Sequence, residues 1–597
     1  MYKTLTLALV LAAAASTTFA SIAPQDVTRR KTDYLVRWAD EWRSSGYNMV
    51  PNEKEWKWDE YDPTWYGALA AMKLKRSPAE IEKANEYFSR MTEGGTMRGA
   101  EAAHTLYLFK DDRDLNEAAR KRLWELVVET PAPKKINPSP WDFDTTENIA
   151  PMGYAWFLLS AQLRGDKVAA EEMAAQACRY IDEHFRLGFI EFYSPCYLEK
   201  DAGSLMMFVQ WAESPRLRRK ARALLDLMFA EYAANSFDQV HATPCMRAYG
   251  YNVIGPDQEL GHNERRDFSC SGIYSMGYVL FGQGKMFNYG VLGTPVLVTT
   301  DYVPPQIVLD IAAADHGTFV FRASKPGLNL SHFRPPPPVY RPPLSARVYC
   351  YHTPEFVLAS TQEVNYRHAG IRYNPVNSVL FCKGDPRKVI LTELVFEPGR
   401  ENWLVPADLA QHGRVAIGKG VAGLAYFAKD LFEETVEESG WIFVRDGGTF
   451  AAYRVVDGGY KWRNIKSWSV FGDYIEFSKK DSPFILHVAA ASEYRGDFAA
   501  FRKDVADNPI VRTRTGVRYT TSGDSAFSLE LRPGKPVPKK GPVDIARYFG
   551  RLPLLNGEEM RLDDYPGIEC PFIHQAPDSP HAEIRLGERR MRIGVGP

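Results

Sequence analysis

The chain has 597 residues, with 73 Lys and Arg against 74 Asp and Glu, a formal charge of −1 at pH 7, and 45% hydrophobic residues. This length is too great for one hydrophobic core and predicts two or three domains. The near-zero charge argues against nucleic acid as a partner, since nucleic-acid-binding proteins carry a basic field, and an anionic ligand would need local cations.

The first 20 residues have the pattern of a secretory signal peptide. Lys3 precedes an apolar run from Leu5 to Ala15, and small residues at Thr18 and Ala20 fit cleavage after Ala20. The run is too short to span a bilayer well, and no later segment reaches 18 consecutive apolar residues. The sequence therefore predicts an exported protein without a membrane span, periplasmic or secreted.

Residues 21–315 are predicted to form a helical domain. In the clearest helix, 215–235, Leu217, Ala221, Leu224 and Met228 share one apolar stripe. Short links should pack successive helices as antiparallel pairs, and five or six pairs suggest a ring of hairpins, an α/α toroid open at one end. The same pattern predicts helices over 26–45, 63–75, 78–92, 98–109, 113–129, 149–164, 167–185, 199–213, 271–282 and 304–314.

The pattern changes after residue 315. Within 316–345, the run RPPPPVYRPP predicts an extended linker, either a hinge or a surface strap. From 346 to 597, short alternating runs separated by GG, DG and GD turns predict antiparallel β-sandwich structure, in one part or two. The seven cysteines include no C-x-x-C motif and predict neither a disulfide framework nor a zinc ribbon. The predicted fold class is a multidomain α + β protein.

Four segments between predicted helices carry more polar and aromatic side chains than a link requires. Pro151 tolerates only the first turn of a helix, which places Asn148 at a helix start, where capping is the simplest role. Long polar loops on a rigid scaffold commonly carry function. The candidate residues are Trp141, Asp142, Asp144, Glu147 and Asn148, then Glu191, Tyr193 and Tyr197, then His241, Arg247, Tyr249 and Tyr251, and finally His262 and Arg265.

Asn, His, Arg and Tyr side chains, without a compelling carboxylate pair or metal cluster, suit β-elimination at a uronic acid. Asn, Arg or His neutralises the sugar carboxylate as the proton on C5 leaves, and Tyr or His removes that proton. Tyr can also protonate the departing O4. Arg247 could favour ionisation of the nearby Tyr249. We predict no metal and no other cofactor.

The domain order and two of these segments resemble the polysaccharide lyases of the heparinase II/III, alginate lyase and chondroitin or hyaluronate lyase type. TTENIAPMGYAWFLL is similar to their helix-start Asn, and VHATPCMRAYGYN to their His and Tyr loop. The resemblance implies that Asn148 neutralises the carboxylate, that His241 is a base or second neutraliser, and that Tyr249 or Tyr251 is the base and acid. His352 and His368 are candidates from the β domain. The other candidates, Trp141, Glu147, Glu191, Tyr193, Tyr197, His262 and Arg265, would bind an anionic polysaccharide.

Two alternatives remain at this stage. A glycoside hydrolase needs two carboxyl groups about 5–10 Å apart, which Asp142, Asp144, Glu147 and Glu191 could supply. A non-catalytic periplasmic glycan-binding protein would need only an aromatic cleft. The aromatic residues, 13% of the chain, are numerous enough to line one. The sequence leaves open the uronic acid, its sulfation, endo or exo action, and the oligomeric state.

Overall fold

The structure is a computed structural model that describes most of the chain. No helix in the described parts of the chain is both long and apolar enough to cross a membrane. The described residues are 21–48, 64–129, 148–189, 191–195, 197–238, 240–245, 272–284, 286, 292–326, 346–362, 365–368, 378–385, 388–392, 404–419, 423–466, 471–523, 525–533, 551–562 and 565–596.

The amino-terminal part is helical, and the helices predicted from the apolar period are confirmed. One helix, α11, was missed because its seven residues, GTPVLVT, are all buried and too few to show a helical period. The helices are α1 (Pro24–Ser44), α2 (Thr64–Lys73), α3 (Pro78–Ser89), α4 (Thr96–Phe109), α5 (Glu117–Trp124, continued by a π-helical turn over Glu125–Glu129), α6 (Ile149–Leu163), α7 (Lys167–Leu187), α8 (Leu198–Trp211), α9 (Pro215–Ala234), α10 (Gly272–Phe281), α11 (Gly293–Thr299) and α12 (Gln306–Ala313).

These helices form an inner and an outer layer. Helices α2, α4, α6, α8, α10 and α11 are buried along most of their length, whereas α3, α5 and α7 bury only one face. Burial on all sides is expected of helices that line the inside of a ring. The alternation of buried and half-buried helices along the chain is that of an α/α toroid.

The inner helices α4, α6 and α8 run in the same direction. Near their carboxyl ends, the Gln162 side-chain amide donates to the Tyr107 hydroxyl at 3.1 Å and to the Trp211 carbonyl oxygen at 3.0 Å. Their amino ends therefore share the opposite opening of the ring. Helices α10 and α11 begin at that opening too, since Gly272 and Gly293 both lie against Glu199 in the first turn of α8. We call this opening the amino-terminal rim.

Beyond the helices, the described chain is mainly antiparallel sheet, as predicted, with one further helix, α13 (Phe498–Asp507). The strands are β1 (Ser236–Phe237), β2 (Val240–His241), β3 (Phe319–Lys325), β4 (Ala346–His352), β5 (Phe356–Gln362), β6 (Asn365–His368), β7 (Ser378–Cys382), β8 (Val389–Thr392), β9 (Leu404–His412), β10 (Val415–Lys419), β11 (Leu424–Phe427), β12 (Glu434–Glu438), β13 (Trp441–Asp446), β14 (Thr449–Val455), β15 (Tyr460–Lys466), β16 (Phe471–Phe477), β17 (Pro483–Ala490), β18 (Ile510–Arg512), β19 (Val517–Thr520), β20 (Ser528–Leu531), β21 (Leu554–Leu555), β22 (Glu558–Glu559), β23 (Ile568–Glu569), β24 (Ile573–Gln575), β25 (His581–Leu586) and β26 (Arg589–Gly594).

The long strands form two main sheets and a smaller one. The largest has the order β15-β16-β11-β8-β7-β5-β4-β3-β23-β24-β25-β26, the second β12-β13-β14-β17-β10-β9-β6, and the smallest β18-β19-β20-β21-β22. The first two pack face to face, and the Gln411 amide donates across them to the Leu358 carbonyl oxygen at 2.8 Å. Helix α13 and the smallest sheet help form a second core, which includes Phe450, Phe501 and Tyr519. The result is the predicted sandwich.

The β domain packs directly on the toroid. Strands β24 and β26 contact α9, and β25 contacts α12. The Gln575 side chain donates to the Phe185 carbonyl oxygen at 2.8 Å, and Arg589 pairs with Asp310 at 2.5 Å. The sheet therefore covers one side of the helical ring and reaches the carboxyl end of α9, which lies at the amino-terminal rim because α8 and α9 form an antiparallel hairpin.

Candidate functional site

The two layers of the toroid begin their helices differently. Each of the outer helices α3, α5, α7 and α9 has a side-chain cap, from Ser77, Asn116, Asp166 and Ser214 respectively. The inner helices α4, α6 and α8 begin without a side-chain cap in the described part of the chain. Because the first N–H groups of a helix have no intrahelical partner and carry partial positive charge, such ends are suited to binding an anion.

Charged side chains are buried at the same rim. Arg98 and Glu101, in the first turns of α4, form an ion pair at 2.9 Å with both side chains almost fully buried. On α8, Lys200 is buried, and its Nζ lies 4.1 Å from the centre of the Tyr197 ring. Glu199 accepts a hydrogen bond from the backbone N–H of Gly293 at 3.2 Å. Charge buried to this extent is costly to desolvate, so its concentration at one opening marks that opening as a site.

Among the predicted site residues, Asn148 has a buried side chain that does not cap its helix. It precedes α6, is only 1% exposed, and already has helical backbone angles of φ −66° and ψ −21°. Its side chain does not cap the helix, and its Oδ1 makes no hydrogen bond with any described residue. A buried polar atom of this kind is rare in folded proteins and needs an explanation. The capping role expected as the simplest interpretation is therefore wrong.

Tyr193 and His241 are brought into contact. The Tyr193 ring centre lies 5.0 Å from that of His241 in an edge-on arrangement, and Tyr232 stacks on the other side of the imidazole at 4.9 Å. Tyr193 has a positive φ of 52°, in the left-handed region that non-glycine residues rarely adopt. Its hydroxyl donates to the Glu231 carboxylate. The phenol is thus held between Glu231 of α9 and the His241 ring.

The His241 imidazole is held neutral. Burial, reinforced by the positive charge of Lys325, lowers its pKa to about 3, although the backbone carbonyl of Glu231 acts in the opposite direction. Its Nδ1 lies 3.3 Å from the Thr243 hydroxyl oxygen. Nε2 is buried and makes no hydrogen bond of normal geometry within the described chain. An anion bound nearby would favour protonation of this ring, since negative charge raises an imidazole pKa.

The low pKa of His241 makes a prediction about acid stability. In the unfolded chain the imidazole has a pKa near 6.5, so below that pH the unfolded state binds a proton that the folded state does not. The free energy of unfolding should therefore fall by up to about 1.4 kcal/mol per pH unit on this account as pH decreases from about 6.5 towards 3. Between pH 6.5 and 5, urea unfolding of wild type should weaken by about 2 kcal/mol more than that of His241→Gln. Parallel curves for the two proteins would show that the imidazole is not held neutral.

The remaining predicted residues fall into two groups. Glu191 is buried and Tyr197 is partly buried, both just ahead of α8 and therefore at the amino-terminal rim with Asn148, Tyr193 and His241. His352 lies in the β domain beside Asn235, at 3.2 Å. The positions outside the described residues are Trp141, Asp142, Asp144, Glu147, Arg247, Tyr249, Tyr251, His262 and Arg265, together with the side chain of His368. Among the described residues, no group of three His, Cys, Asp or Glu could hold a metal ion.

Sequence reasoning missed Glu231, Asn235 and Lys325. In β3, residues 319, 321, 323 and 325 are the buried positions of a period-two pattern, so a lysine at 325 points inward. A lysine at an inward-facing position of a strand could have identified this residue from the sequence. Glu231 follows Met228 by three residues and so lies beside the apolar stripe of α9, a position that also marks it as buried.

Comparisons with known proteins give distant structural likenesses. No family model and no curated protein matches the sequence. The chain is similar to heparinase III, with 9% identity, 81% of this chain and 85% of that chain covered, and a TM-score of 0.39. It is similar to a chondroitinase AC lyase solved with oligosaccharides, with 9% identity, 96% and 98% covered, and a TM-score of 0.39. It is also similar to the Streptomyces coelicolor A3 chondroitin AC lyase in complex with chondroitin sulphate, with 12% identity, 86% and 88% covered, and a TM-score of 0.43.

Proposed function

We propose that the protein is an exported polysaccharide lyase that cleaves a uronic-acid-containing polysaccharide by β-elimination. The observation that carries the proposal is Asn148, a buried amide at the start of an inner helix that it does not cap. Its Nδ2 N–H groups can donate to a carboxylate, and its Oδ1, unbonded among the described residues, can accept from a sugar hydroxyl. The uncapped amino ends of α4, α6 and α8 share its opening. A substrate carboxylate is an anion that such helix ends and an Asn amide can both stabilise.

The elimination needs a neutralised carboxylate, a base and an acid. In this scheme the Asn148 amide donates to the carboxylate as negative charge spreads onto it from C5, which stabilises the enolate-like intermediate. His241 is neutral and contributes either as the base at C5 or as a second donor to the carboxylate. Tyr249 or Tyr251 supplies the phenol that removes the C5 proton or protonates O4, with Arg247 favouring its ionised form.

The sequence predicts that Tyr193 binds the sugar, but its contacts support a role in holding His241 instead. Its hydroxyl donates a hydrogen bond to the Glu231 carboxylate. Burial, together with the negative charge of Glu231, raises the pKa of the Tyr193 phenol well above the ordinary value of 10. The phenol therefore remains protonated and cannot serve as a base. We assign it to holding the His241 ring, while Glu191 and Tyr197 remain proposed contacts for the substrate.

Activity on uronate polymers tests the proposal. Alginate, glucuronan, hyaluronan, chondroitin and heparan are each incubated with the mature protein, and absorbance in the near ultraviolet is followed together with reducing ends. A lyase produces a C4–C5 double bond conjugated to the carboxylate, so both signals should rise together on at least one polymer.

The same measurement separates the alternatives. A hydrolase with paired carboxylates would release reducing ends without the absorbance, and a glycan-binding protein would produce neither signal while retaining the polymer in a pull-down. Either result would overturn the proposed elimination. Near-zero total charge favours a substrate with little sulfate, so we expect an unsulfated polymer to give the fastest reaction.

A further inference from the structure

We infer that the β domain positions Tyr193 and His241 through two buried polar contacts with the toroid, Lys325 with Glu231 and His352 with Asn235. The expected effect on catalysis rests on the proposed function, whereas the contacts themselves can be tested without a substrate. Lys325 and His352 are then positioning residues, since each acts through a residue of the toroid.

The first contact is a buried ion pair between the two domains. Lys325, the last residue of β3, places its Nζ 2.6 Å from Oε2 of Glu231 on α9, and both side chains are less than a tenth exposed. The same carboxylate oxygen accepts the Tyr193 hydroxyl, and the Lys325 Nζ lies 4.9 Å from the centre of the Tyr193 ring. One cation from the sheet therefore fixes both the carboxylate and the phenol that packs against His241.

The second contact fixes the segment that carries His241. Asn235 donates from Nδ2 to the Glu231 carbonyl oxygen at 3.0 Å, so its Oδ1 accepts from Nε2 of His352 at 3.2 Å. The Asn235 carbonyl oxygen in turn accepts the backbone N–H of Ala242 at 2.9 Å, directly after His241. The His352 ring is held in place by stacking on Phe319 at 4.4 Å. Asn235 thus connects the hairpin formed by β1 and β2 to the sheet.

Stability alone does not account for this arrangement. A buried ion pair is often no more stabilising than well-packed apolar side chains of the same size, because desolvation offsets the attraction. Its geometric value is that it specifies one arrangement of the groups around it. Here both contacts converge on the eleven residues 231–241, which end in the imidazole assigned to the reaction.

The experiment compares Lys325→Met with Arg589→Met. Arg589 pairs with Asp310 across the same two domains, and Asp310 otherwise bonds Ser21 and Gln306, so this variant removes an interdomain charge away from the His241 segment. Two quantities are measured: the His241 imidazole signals in a ¹⁵N-histidine NMR spectrum, assigned with His241→Gln, and kcat and KM on the responsive polymer. Lys325→Arg tests rescue by a cation, and His352→Phe keeps the stacked ring but removes the N–H donor.

Lys325→Met and His352→Phe should both displace the His241 signals and lower kcat at least tenfold with KM within about threefold. Lys325→Arg should recover at least part of both, and Arg589→Met should alter neither. If Lys325→Met does not fold, the neutral pair Lys325→Met with Glu231→Gln takes its place with the same expectation. Unchanged His241 signals in the folded variants would overturn the inference. Displaced signals in a protein that cleaves no uronate polymer would support the positioning contacts while refuting the proposed function.

Discussion

Asn148→Ala is expected to lower turnover on the responsive polymer by about a hundredfold or more, because one preorganised donor to a developing oxyanion is worth about 10²–10³ in rate. Its effect on folding should be small. The side chain does not cap α6, and removing an unbonded buried oxygen carries little loss, so the free energy of unfolding should change by less than about 1 kcal/mol. Steady-state kinetics and urea unfolding measure the two effects separately.

The matched control is a second asparagine at a helix start. Asn116 does cap α5, since its Oδ1 accepts the backbone N–H of Ala119 at 2.9 Å on the outer layer of the toroid. Asn116→Ala should lose about 1 kcal/mol of stability, the usual value for a cap, with unchanged kcat. Equal kinetic losses in the two variants, or a large stability loss in Asn148→Ala alone, would show that the role of Asn148 is structural.

Gly293→Ala should destabilise the toroid by about 3 kcal/mol or more, at the upper end of overpacking costs. A Cβ at this position would lie 2.1 Å from the Glu199 carbonyl oxygen and 2.7 Å from its carbonyl carbon, and backbone atoms of a buried helix cannot turn aside. Helix α11 would have to move away from the first turn of α8, which opens the amino-terminal rim. Urea unfolding followed by helical circular dichroism measures the loss.

Gly448→Ala is the comparison for that variant. A Cβ there would lie 2.8 Å from Cγ of Glu355, a side chain that can rotate away, so the cost should stay below about 1 kcal/mol. Similar losses at the two glycines would mean that α11 has room to adjust. In that case the close approach of α11 to α8 would not be what shapes the rim.

Local periodicity predicted most of the architecture. The amphipathic stripe of α9 and the inward residues of β3 are visible in the chain because burial on one face imposes a period on sequence. α11 was missed because its seven residues, all buried, are too few to show such a period.

The site was harder to predict because it depends on which ends of the helices meet. Asn148 was identified from Pro151, but an asparagine at a helix start is normally a cap, and only the bonding around it distinguishes the two roles. The partnership of Glu231 with Lys325 joins residues 94 positions apart on different domains. No local pattern connects such residues, although the inward lysine of β3 could have prompted a search for a buried partner.

The order of the strands in the largest sheet affects how the protein folds during its synthesis. β3 leaves the helical domain directly, yet its neighbour β23 lies more than 240 positions further along, and the strands after it pack on α9 and α12. During translation, the helical ring emerges first with the apolar surface of α9 uncovered, and the strands that cover it emerge only after the intervening strands of the sheets. Synthesis from the amino end therefore leaves this surface exposed while the intervening strands are made, which makes it the natural place for chaperone contact before the β domain is complete.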